Sequence, residues 1–245
     1  MALGIGYNIN KAEELMSSIG DAYTSLGTTI SAEWPAVSSS LRTNWVGEDE
    51  LHYEEQVVKR INEMYQNAYV LANIAIGTIG GLAEGWWNFQ KKNVFEGESE
   101  IESMGNITIE IPTITKNESI LTFETVSYSN TDDRGLKDAS SATTIKGAVD
   151  SFVSNVKSKM TELLDMDASS AFFGDQTAKI KAYLEAVSNS MVNVSLAIKD
   201  LYTCLDSMAS TNYSSQTTAS TEFIGTEEAT VNEQVANVAE STRWT

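Results

Sequence analysis

The stretch Asn44-Trp45-Val46-Gly47-Glu48-Asp49-Glu50 decides how this chain is read, because the sequence on both sides of it has helical period. Ahead of it, Leu15, Ile19, Leu26, Ile30, Val37 and Leu41 recur at spacings of four and seven, which places them on one face of a helix over residues 9–44. Behind it, Val58, Ile61, Tyr65, Ala68, Ala72, Ala75, Ile79, Leu82 and Trp86 step alternately by three and four. That heptad predicts a second long helix, running to about residue 92, with close approach at its three alanines. Trp-x-Gly between two helices reads as a corner: Gly47 admits the backbone of a tight turn, and Trp45 offers a large apolar face to lock it. Glu48, Asp49 and Glu50 suit the positive end of a helix dipole. With Glu54 and Glu55, they read as a solvated helix start rather than as acid–base carboxylates or a cation site. Pro35, inside the first helical pattern, predicts a kink or a new helix start.

Composition narrows the function. The 245 residues are 42% apolar, enough for a sizeable core, and carry a net charge of −18. Nucleic acid and anionic lipid both demand clustered cations, so neither is an expected partner. Cys204 is the single cysteine, which rules out an intrachain disulfide, and its apolar setting reads as a small buried hydrophobe. His52 is the single histidine, so multi-histidine metal sites are excluded. There is no P-loop, dinucleotide fingerprint or Gly-x-Ser-x-Gly elbow. Asn130-Thr131-Asp132-Asp133 lacks the glycine and distal glutamate of a calcium loop. The expectation is a protein that is not an enzyme, with no catalytic residues, no metal site and no cofactor. The opening residues have neither a basic start nor a long apolar core, so export would proceed without a cleaved signal peptide.

Residues 69–89 pose a separate question. Gly77, Gly81 and Gly85 form a small-residue stripe in a mostly apolar stretch that approaches a bilayer span. Asn73 and Glu84 within it, and the uninterrupted heptad, favour a packed bundle end over a membrane helix. Trp86, Trp87 and Phe89 exceed what one helix face of a lone hairpin can bury, and are expected at an interface with the glycine stripe.

Beyond residue 105 the period changes. Ile107, Ile109 and Ile111 alternate with polar residues, and residues 120–129 (Leu121, Phe123, Val126, Tyr128) read as an antiparallel partner, an inserted β-hairpin. Two strands alone are marginal, so this hairpin must lie on the helices or join a sheet. Helical period returns with Ile145, Val149, Phe152, Val156 and Leu163. After Phe172-Phe173-Gly174-Asp175, a second heptad follows: Leu184, Val187, Met191, Val194, Ile198, Leu201, Leu205 and Met208. Sliding one half over the other sets Val58 on Leu184 and Ile79 on Leu205, and brings Trp45-Val46-Gly47 within one residue of Phe172-Phe173-Gly174. The chain reads as two helical hairpins with equivalent corners.

Asn44-Trp45-Val46-Gly47, followed by Tyr53-Glu54-Glu55-Gln56, resembles the Trp-x-Gly (WXG) superfamily of small helical hairpins exported by type VII secretion, which includes the early secreted antigen proteins. The resemblance covers about two-thirds of the chain, with specific motif support in the first hairpin. It implies a mainly α fold in which two long hairpins form a four-helix bundle, here as a tandem fusion. Residues 1–92 would be the first hairpin, 93–140 the β-hairpin insertion with its linkers, 141–210 a diverged second hairpin, and 211–245 a polar acidic tail. The family's export signal, a tyrosine with an acidic residue four positions on, is similar to Tyr202 and Asp206, although these lie within the heptad here. The implied function is protein–protein association as a secreted, extracellular protein, through protein partners or a homo-oligomer. Because family members are usually single units, a fused and decorated copy suits equally a structural subunit of a virion or extracellular assembly. A membrane-active effector is the third reading.

Overall fold

The computed structural model describes residues 6–94, 108–128, 134–138, 140–164, 168–173 and 182. It is mainly helical. Strand β1 (Gly6–Tyr7) leads into α1 (Ile9–Asn44), then β2 (Trp45–Val46), α2 (Glu48–Val94), β3 (Gly135–Leu136), α3 (Ser141–Leu164), a 3-10 turn (Ala168–Ser170) and β4 (Phe172–Phe173). The second heptad with Cys204, the pair Tyr202 and Asp206, Gly174, the 130–133 loop and the tail all lie outside the described residues.

α1 and α3 each begin with a local device. Asn8 caps α1: its Oδ1 accepts from the Lys11 N–H at 3.1 Å, and its carbonyl accepts from Ala12 at 3.0 Å. Asp138 does the same for α3, accepting from the Ser140 N–H at 2.8 Å and from the Ser141 hydroxyl at 3.1 Å. These donors, the Ser140 hydroxyl and amide foremost, hold the Asp138 carboxyl below the usual range. Pro35 neither ends nor splits α1, which runs unbroken through it. It sits on the exposed face, where water can serve the carbonyl that loses its N–H partner.

The chain divides into two compact units, residues 1–29, 62–120 and 157–197 in one, and 30–61, 121–156 and 198–245 in the other. In the first, the core is Met16, Ile19, Tyr23 and Leu26 of α1 against Tyr65, Ala68, Ala72, Ala75, Ile76 and Ile79 of α2, with Met160, Leu163 and Phe172. Tyr23 and Tyr65 stack at 4.6 Å, and Tyr69 meets Tyr23 edge-on. Gly27 makes the stack possible, because a Cβ there would lie 2.7 Å from Tyr65 Cζ. In the second unit, Ile30, Trp34, Val37 and Leu41 bury with Tyr53, Val57, Val58 and Ile61, and with Ile145, Val149, Phe152 and Val156. Trp34 and Phe152 meet edge-to-face at 5.7 Å.

The inserted β-hairpin does not form: the described residues 108–128 contain no strand. Their polar groups turn to the helices instead. The Glu110 N–H donates to Glu13 Oε1 at 3.0 Å, the Gln66 side-chain amide donates to the Glu118 carbonyl, and Arg42 donates to the Glu124 carbonyl at 2.7 Å. Ile114 and Leu121 bury into the two cores, one in each unit. Alternating apolar residues here make an extended strap, satisfied by side chains rather than by a ladder. Strand pairing occurs elsewhere, in the dipeptides that flank the helices.

α2 between Glu48 and Gly85 is long and apolar enough to cross a membrane, a test that the core helix of a bundle also passes. Gly77, Gly81 and Gly85 are exposed, and a Cβ on any of them meets nothing among the described residues. The close approach is at Gly80, where a Cβ would lie 2.7 Å from Ile111 Cδ1, and at Gly27.

Candidate functional site at the helix corner

Two clips organise the ends of α1 and α3. β2 pairs antiparallel with β3, Trp45 opposite Leu136 and Val46 opposite Gly135. β4 pairs antiparallel with β1, Phe172 opposite Tyr7 and Phe173 opposite Gly6. The register is the same in both: the first corner aromatic faces an apolar residue, and the second corner residue faces a glycine. The next hydrogen bond repeats too. Lys137 N–H donates to the Asn44 carbonyl at 3.0 Å, and Asn8 N–H donates to the Ala171 carbonyl at 2.7 Å, each acceptor lying just before its corner aromatic. Each clip joins the start of one helix to the end of the other. Gly47 and Gly135, both in the β2–β3 clip, have φ of 123° and 130°, which side-chain-bearing residues rarely adopt.

Trp45 is half-buried, its ring tilted against Tyr53 at 5.4 Å. Tyr53 is the buried member of the pair. The corner is therefore locked by an aromatic couple and a strand clip, not by a tryptophan sunk in the core. At the far end of α2, Trp87 is half-buried and its indole Nε1 is buried with no hydrogen-bond partner among the described residues. Nothing is described of the side chains of Trp86 and Phe89.

The acidic start of α2 is not uniformly solvated. Glu48 and Asp49 lie at the surface and receive Arg134 at 3.2 and 3.1 Å. Glu50 and Glu54, by contrast, are 0% and 1% exposed. Arg42 of α1 donates through Nε to Glu54 Oε2 at 2.7 Å and through its other arm to the Glu124 carbonyl. The Tyr128 hydroxyl donates to Glu50 Oε2 at 2.5 Å. Burial, then the neighbouring Glu54, pushes the Glu50 carboxyl up to about 7, against the Tyr128 hydrogen bond that favours its ionised form. Burial also raises the Tyr128 phenol. The Glu54 hydrogen bond and charge raise Arg42 further.

Sequence reading missed this pair. Glu50 and Glu54 are one turn apart, on the face that carries Val57, Val58 and Ile61, and Arg42 sits on the buried side of α1 near Leu41. Their shared phase with Val57, Val58 and Ile61 is the signal in the sequence, although an acidic first turn by itself equally suits solvent. With both carboxyls closed to solvent, the cluster is suited to holding charge and protons rather than to receiving a substrate. Among the described residues no group of three or more His, Cys, Asp or Glu is placed to hold a metal. Elsewhere, α1 and residues 112–117 form an open groove of about 470 Å³ lined by Ser17, Asp21, Thr24, Lys116 and Asn117. The chain matches no protein-family model, no curated protein and no solved structure.

Proposed function

We propose that this is a non-enzymatic helical-bundle protein of the Trp-x-Gly type, working by protein–protein association, with one chain supplying both hairpins of a pair. The observation that carries the reading is the pair of clips with one register, Trp45–Val46 on Gly135–Leu136 and Phe172–Phe173 on Gly6–Tyr7. The heptad 184–208 would then supply the fourth helix of the bundle. It covers the row Val70, Ile74, Gly77 and Gly81 on α2, where Val70 and Ile74 are 47% and 44% exposed. The chain leaves β4 within the unit that contains this row, which favours that occupant. Ile74→Asp then destabilises the monomer by about 1–3 kcal/mol, read by thermal melting. Unchanged melting of a monomer, with loss of higher oligomers in light scattering, assigns the row to a second copy and removes the fourth-helix form.

The secretion reading is tested by export from a host with a type VII system. Tyr202→Ala with Asp206→Ala abolishes export if that pair is the signal, and undiminished export removes the assignment. The alternative, a structural subunit of a virion or extracellular assembly, draws support from the same exposed row. It predicts large regular assemblies in light scattering, and a monodisperse monomer at high concentration eliminates it.

A further inference from the structure

Association between helical bundles needs no buried acid pair, yet the α1–α2 corner holds one. The charged and titratable groups facing Glu50 are Tyr128 from residues 121–128, Glu54 from its own helix and Arg42 from α1, while Glu124 adds its charge at Arg42. One guanidinium thus meets two wholly buried carboxyls. A fully ionised cluster would leave an uncompensated negative charge out of water, which is costly. Glu50 Oε2 takes the Tyr128 hydroxyl, but Glu50 Oε1 is buried and has no hydrogen-bond partner among the described residues. A buried carboxylate oxygen without a donor is unfavourable. A hydrogen on that oxygen, donated to the adjacent Glu54, satisfies it and cancels the excess charge in one step.

We infer that Glu50 and Glu54 hold a single proton between them, and that its release to solvent unlatches residues 121–128 from the helix corner, making the corner a proton-gated latch. The segment is joined to the corner by two contacts of the cluster itself, Tyr128 to Glu50 and the Glu124 carbonyl to Arg42. Ionised Glu50 relieves its repulsion from Glu54 by turning outward to water. That movement carries away the acceptor of Tyr128 and admits solvent beneath the segment. Arg42 remains with Glu54, so α1 and α2 keep their connection while the segment lifts. A bound metal ion fits less well, because Arg42 already supplies the positive charge and two carboxylates give too few ligands.

The test is a ¹³C titration of the glutamate carboxyls in the full chain, paired with hydrogen exchange of residues 121–128, from pH 4 to 9. One glutamate, lost in Glu50→Gln, titrates with a midpoint near 7, and protection of the segment falls with the same midpoint. Glu50→Gln keeps a neutral donor in place, and its segment stays protected across the range. Tyr128→Phe moves the Glu50 midpoint downward, because the phenol contact is made only in the protonated, latched state; an upward shift, expected if the phenol stays on the ionised carboxylate, overturns the inference. A His52→Gln control, which removes the chain's one imidazole, leaves both midpoints in place. The inference is overturned if Glu50 titrates near 4.5, or if Glu50→Gln loses protection with pH as the parent does. It is also overturned if millimolar calcium or magnesium at pH 8.5 restores protection, which would make the ligand a cation.

Discussion

Single residues separate the roles of glycines that look alike in sequence. Gly27 and Gly147 both lie in helices, where alanine is ordinarily preferred by roughly 0.5–1 kcal/mol. At Gly27 an added methyl meets Tyr65 at 2.7 Å and disturbs the stacked tyrosines, so Gly27→Ala destabilises by about 1–3 kcal/mol. At Gly147 it meets nothing described, and Gly147→Ala stabilises by about 0.5–1 kcal/mol. Urea melts of the two variants have opposite signs. The sequence showed the stripe Gly77, Gly81, Gly85 more plainly than it showed Gly27, because periodicity reveals which residues share a face but not which face a neighbour occupies. Glu50 teaches the same lesson: its place in the first turn of a helix was legible, and its enclosure by Tyr128, far along the chain, was not. Gly47 and Gly135 belong here too. Alanine at either position must adopt a left-handed backbone, at about 1–3 kcal/mol, measurable by thermal melting.

At the scale of elements, helix α1 and the long helix α2 were legible from apolar spacing alone, because each buries one continuous face. The extended segment was misread for the converse reason. Alternation specifies a strand-like backbone with one buried side, but does not say whether its hydrogen bonds go to another strand or to helix side chains. The short clips were illegible because a two-residue strand carries no period, and its partner is chosen by the helix that follows it. Trp45 was expected to be the corner's anchor, but its half-burial shares that role with Tyr53 and Leu136. Trp45→Ala therefore costs about 1–3 kcal/mol, below the 3–5 kcal/mol typical of a fully buried aromatic. Arg42 matters more. Arg42→Met strands Glu54 as a buried charge and costs about 3–5 kcal/mol at neutral pH. Adding Glu54→Gln to it recovers much of that loss, a non-additivity that a double-mutant cycle in denaturant quantifies.

The whole molecule inherits the behaviour of the buried pair. Glu50 takes up its proton at about 7 in the folded chain and at 4.5 when unfolded, because burial disfavours its ionised form. Between those values the folded chain binds a proton that the unfolded chain has released, so stability declines as pH rises. The contribution is fully present below about 4.5, is lost through about 7, and is level above it. How far that loss spreads depends on cooperativity. α1, α2 and α3 each contribute residues to both compact units, so no described α-helix belongs to one unit alone. Local opening that must break a continuous helix is coupled to global unfolding. The expected outcome is one transition, whose midpoint falls from pH 5 to pH 8 equally for a reporter in either unit. Fluorescence of Trp34, in the unit of Glu50, and of Trp87, in the other, supplies the two readings through single-tryptophan variants. If Trp34 moves with pH while Trp87 does not, the units unfold separately, and the helices do not transmit the effect of the proton.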